Sequence, residues 1–115
     1  MKDTFELYDL KVTTVKGEKP FVCSHVMGEY FLVQGENLVF PKKMNFSLYS
    51  LAGLLPILPA KQRITDSADW ITTDAIIACT DPNCGGQFRI DRVKRRMFRH
   101  GDVTVVPPGK GENER

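Results

Sequence analysis

The chain is poor in the residues that most often declare a chemistry. Its 115 residues include three cysteines, two histidines and one tryptophan, and the formal net charge is only +2. A small, odd number of thiols does not suit the even disulfide framework of a secreted domain. So weak a net charge sets up no whole-protein field that would draw in nucleic acid. No apolar leader opens the chain, because Lys2, Asp3, Glu6, Asp9 and Lys11 interrupt the first residues. The expected compartment is therefore the cytoplasm, with thiols kept reduced. The one long uncharged run, 44–60, is short for a membrane span and carries Gly53, Pro56 and Pro59, so no membrane association is expected.

What is present describes a folded domain. A hydrophobic share of 42% beside 26% charged residues is the balance of a globular chain. Its length suits one domain with a small core. Residues 1–106 are expected to form that domain. From Pro107 the sequence holds only prolines, glycines and polar or charged residues, and 107–115 reads as a flexible tail.

The local pattern changes along the chain. Tyr8, Leu10 and Val12 alternate with Asp9, Lys11 and Thr13, the period of a half-buried strand. Gly17-Glu18-Lys19-Pro20 turns the chain, and 21–26 reads as a short extended segment. A hairpin follows, from Glu29–Gln34 through Gly35-Glu36-Asn37 into Leu38–Phe40. After Pro41, Asn45 or Ser47 can cap a helix in which Leu48, Leu51, Ala52, Leu55 and Leu58 recur at helical spacing. Pro56 should kink or end it. Lys61–Thr73 reads as a loop anchored by Trp70. Asp74–Cys79 reads as a central strand, which turns through Asp81-Pro82-Asn83 and Gly85-Gly86 into a strand from Gln87 to Val93. The expected fold class is α+β, a small antiparallel sheet with one short apolar helix packed on it.

Chemistry concentrates in Cys23-Ser-His25 and Cys79-Thr-Asp-Pro-Asn-Cys84. Three thiols and an imidazole are the ligand set of a closed tetrahedral zinc site, and their softness selects zinc over calcium or magnesium. Cys79 and Cys84 flank a hairpin turn, where zinc knuckles place ligand pairs. Cys23 and His25 would share one strand face at a separation of roughly 6–7 Å, so a bend is needed to bring both to one ion. Plain burial suits the same cysteines, which follow Phe-Val and Ile-Ile-Ala. A third use is catalytic, with Cys84 as nucleophile assisted by His25 and Asp81, under a loop carrying Arg63 and Trp70.

A basic stretch runs through Arg89, Arg92, Lys94, Arg95, Arg96, Arg99 and His100, with Phe88 and Phe98 interleaved. It fits a nucleic-acid surface or the protective charge of an exposed strand. The apolar 44–60 segment exceeds what so small a domain readily covers, which points to a homo-oligomer or a larger protein partner.

Cys23-Ser-His25-Val-Met-Gly28-Glu29-Tyr-Phe31 resembles a family of small, uncharacterised prokaryotic single-domain proteins. Members carry Cys and His ahead of Gly-acidic-x-Phe, then a proline and a short helix, then Cys-x-Asp and a Phe-x-Ile-x-Arg strand. The later pieces here are Pro41, the 46–58 helix, Cys79-Thr-Asp81-Pro82 and Phe88-Arg-Ile90-Asp-Arg92. Many relatives have a cysteine at the helix start, where this chain has Met44, Asn45 and Phe46 and carries Cys84 instead. The resemblance implies the architecture and brings no activity.

Three functional readings follow. The leading one is a zinc-stabilised, non-catalytic accessory or subunit of a larger enzyme complex, with Cys23, His25, Cys79 and Cys84 as ligands. The alternatives are a small enzyme with a Cys84, His25 and Asp81 pocket, and a nucleic-acid module built on the basic strand.

Overall fold

The computed structural model describes residues 3–22, 25–41 and 43–110. Among them are five strands and four short helices in the order β1 (Thr4–Lys16), β2 (Tyr30–Gln34), β3 (Asn37–Val39), α1 (Leu48–Leu54), α2 (Leu58–Gln62), α3 (Trp70–Thr73), β4 (Ile76–Ala78), β5 (Gly86–Arg99) and α4 (His100–Val103). One antiparallel sheet takes the order β3-β2-β1-β5-β4, so the expected small α+β class holds. None of these helices is long and apolar enough to cross a membrane.

Alternation explains the core. Val12 lies opposite both Phe31 and Ile90, Leu10 opposite Val33, and Thr14 opposite Phe88, so one face of the sheet gathers the apolar side chains. Leu54 from α1 and Leu58 from α2 close over them, and Phe31, Phe88, Leu10 and Leu54 have no exposed surface. Full burial of each such side chain contributes about 1.5–3 kcal/mol. Phe46 meets Phe31 edge-on at 5.1 Å and lies 5.4 Å from Phe88, while Phe88 in turn packs against the His25 ring at 5.2 Å.

Several expectations change. The single helix expected over 46–58 is replaced by α1 and α2, because Pro56 sits between them and Pro59 lies in the first turn of α2, where a missing N–H costs nothing. The strand expected to be central from its apolar run, β4, is at an edge of the sheet, and β1 is the middle strand. Its length of 13 residues lets it bond neighbours on both sides, whereas β4 has three residues and leaves Ile76 47% exposed. Trp70 is no anchor; it opens α3 and is 73% exposed. Residues 21 and 22 and 25 and 26 carry no strand structure. Of the expected tail, 107–110 are exposed and 111–115 lie outside the described residues.

Beyond the reach of β2 and β4, strands β1 and β5 continue alone as a ribbon. Lys94 faces Asp9 and Arg92 faces Leu10, so Val93 is the extra residue of a bulge. On the ribbon Arg95 pairs with Glu6 at 3.4 Å, Arg96 with Asp9 at 2.8 Å and Arg99 with Asp3 at 3.2 Å. Arg92 donates to the carbonyls of Lys61 and Arg63, both at 2.8 Å, and so caps α2.

Asp9 is the buried member of this set, its side chain 5% exposed. The hydrogen bonds from Arg96 hold its carboxyl below the ordinary 3.8, against desolvation, which raises it, with the charges of Arg96 and Lys94 adding to the lowering. A carboxyl depressed in the folded state contributes stability above its unfolded value, lost as pH falls through the folded one. Urea denaturation should therefore find wild type more stable than Asp9→Asn at pH 7, with the gap closing below about pH 4. An unchanged gap at pH 3 would refute this.

Candidate metal centre

Three segments converge at one end of the core: the stretch after β1, the turn between β4 and β5, and the first turn of α1. The β4–β5 turn is built by its own residues. Asp81 accepts from Asn83 N–H through its carboxylate at 2.9 Å, and its carbonyl accepts from Cys84 N–H at 3.0 Å. This is the local bonding by which Asx residues reverse a chain. Cys79 N–H donates to Gly86 carbonyl at 2.9 Å, which places the two cysteines across the turn, as their spacing suggested.

The stretch after β1 is clasped to this turn by backbone. Gly17 N–H donates to Gly85 carbonyl at 2.7 Å, and Gly85 N–H donates to Pro20 carbonyl at 2.9 Å. The approach is so close that a Cβ on Gly85 would stand 1.6 Å from the Lys19 carbonyl oxygen. Clasped in this way, the chain runs on to His25, whose ring lies between Phe21 at 5.8 Å and Phe88 at 5.2 Å, both edge-on.

His25, Cys79 and Cys84 thereby come together, with one donor atom from each lying within 4.8 Å of the others. The two cysteines are buried, at 9% and 8% exposure. Backbone N–H groups of Val22 and Gly86 both donate to the Cys84 sulfur at 3.4 Å. N–H donors of this kind orient a metal-ligating sulfur. Burial lowers the His25 pKa, which keeps the imidazole neutral and its lone pair available. This group can hold a metal ion.

Not every residue singled out in the sequence joins the group. Cys23 lies outside the described residues. Asp81 borders a cleft of about 700 Å³ that Cys79 and Cys84 also line, but Arg63 and Trp70 take no part in that cleft. The proposed loop over a Cys84 pocket is therefore not the wall of this cleft. The basic strand is largely spoken for: Arg89, Arg95, Arg96 and Arg99 each face a carboxylate.

Ser50 is the residue that the sequence reading missed. It is 2% exposed, and its hydroxyl lies 3.4 Å from His25 Nε2 and 3.6 Å from Cys79 Sγ. Its signal was a serine inside an apolar helical run, with Leu48 before it and Leu51 and Leu54 after it.

No protein-family model, curated protein or solved structure matches the chain.

Gly86 provides a direct test of the geometry. A Cβ there would stand 2.7 Å from His25 Cδ2 and 3.4 Å from Cys84 Sγ. Gly86→Ala should push the ring away and destabilise the fold by about 1–3 kcal/mol, the usual cost of overpacking. A urea midpoint equal to that of wild type would show that His25 is not held where described.

Proposed function

We propose that the protein is a zinc-stabilised, non-catalytic module that serves as a small subunit or accessory of a larger assembly. The observation that carries this reading is the convergence of His25, Cys79 and Cys84 from segments more than fifty residues apart in the chain. Imidazole and thiolate donors favour zinc over hard cations. The proposed fourth ligand is Cys23. It stands two residues before His25, a separation of at most roughly 7 Å of chain. Four protein ligands would leave no open position, as in structural zinc sites.

Size supports the structural role. A domain of this length buries a modest core, and a metal that binds only the folded state adds its binding free energy to folding. Exposed apolar side chains support the accessory role: Leu48 is 73% and Tyr49 76% exposed on α1, side by side on the helix whose other face covers the core. The ion pairs along β5 weaken the nucleic-acid alternative, since a phosphate would have to compete with carboxylates already in place.

Elemental analysis of protein purified without added metal or chelator should find about one zinc per chain, and a strong chelator should unfold it. Cys84→Ser, His25→Ala and Cys23→Ser should each lose zinc and lower the thermal midpoint. A metal-free protein whose midpoint ignores both zinc and chelator would overturn the reading. Zinc retained at full affinity in Cys23→Ser would remove Cys23 from the ligand set and leave the other three.

A further inference from the structure

Helix α1 approaches the metal centre closely enough to take part in it. Ser47 caps the helix, its hydroxyl accepting from Ser50 N–H at 3.3 Å. Further along the helix, a Cβ at Gly53 would stand 2.8 Å from Thr80 Cγ2, so the helix lies directly against the residue that follows Cys79. Between these two points Ser50 is turned inward, 2% exposed, with His25 Nε2 and Cys79 Sγ within reach of its hydroxyl.

A hydroxyl has one proton to donate. In the metal-free protein it can go to either neighbour. Metal binding removes the choice, whichever ring nitrogen of His25 is the ligand. If Nε2 binds the ion, its lone pair is committed and it can no longer accept. If Nδ1 binds, Nε2 carries the proton and donates to Ser50 Oγ. In both cases the Ser50 proton is directed to the Cys79 sulfur. We infer that Ser50 is a positioning residue of the metal centre, its hydroxyl hydrogen-bonded to the Cys79 thiolate in the loaded site. This inference rests on the proposed metal site and adds to it the element that joins α1 to the ion.

The consequences are specific. The O–H···S bond draws charge from the thiolate and fixes its direction, as outer-shell donors do for other metal ligands. Helix α1, and with it the exposed Leu48 and Tyr49, is then fastened to the ion through one side-chain bond rather than by packing alone. Loss of such a partner typically weakens metal binding about 10–100-fold.

Cobalt(II), a spectroscopic stand-in for zinc, tests this. Wild type, Ser50→Ala and Ser50→Thr would be titrated with cobalt under reducing conditions, followed by zinc displacement. Ser50→Ala should bind cobalt about 10–100-fold more weakly, with its thiolate-to-cobalt charge-transfer band moved to lower energy, because a thiolate without its donor gives up an electron more readily. Ser50→Thr, which keeps the hydroxyl, should restore the band position. That shift separates a bond to sulfur from a general loss of packing, which would change affinity and leave the band in place. An Ala variant with wild-type affinity and an unmoved band would overturn the Ser50 role while leaving the metal site standing. Failure of wild type to take up cobalt at all would overturn both.

Discussion

The backbone clasp between Gly85 and the Gly17–Pro20 stretch is the constraint on which the rest of this end of the molecule depends. Two N–H···O bonds hold the segment after β1 against the β4–β5 turn, at a separation only a residue without a side chain permits. The clasp brings His25 beside Cys79 and Cys84, although the sequence separates the two groups widely. It also leaves Val22 N–H aimed at the Cys84 sulfur. Ligand identity is thus a matter of side chains, but ligand convergence is a matter of backbone.

From the clasp the order spreads into the core. His25 packs on Phe21 and Phe88, Phe88 on Phe46, and Phe46 on Phe31, so the candidate ligand belongs to an aromatic series running across the sheet face. Ser50 carries the same connection into α1. The His25, Cys79 and Cys84 group and the hydrophobic core are therefore one packed unit, and distortion of either is felt by the other.

Much of this was legible in the sequence where a local rule governs. Alternation in Tyr8–Thr13 and in Phe88–Asp91 revealed two strands, though not that they pair with each other, and turn chemistry at Asp81-Pro82-Asn83 placed Cys79 and Cys84 opposite each other. The helix cap, offered at Asn45 or Ser47 and found at Ser47, and the break at Pro56 were equally local. What escaped was set by tertiary partners. Ile76–Ala78 gave a misleading sign of centrality, because the run is apolar yet pairs with β5 alone at the sheet edge and leaves Ile76 47% exposed. Trp70 looked like an anchor by residue type, but only the surroundings decide whether an indole is covered. Ser50 could not be recognised as part of a site until His25 and Cys79 were known to lie beside it.

The charge ladder along the β1–β5 ribbon has a further meaning. In a strand pair, sliding by two residues preserves which side chains share a face, so hydrophobic patterning alone does not forbid it. A slip of that size here would part Phe5 from Phe98, which stack at 5.4 Å, and take Arg96 from the buried carboxylate of Asp9. The arginines of this ribbon act as a ruler. They measure the alignment of β1 and β5 in the stretch where, among the described residues, no third strand pairs with either.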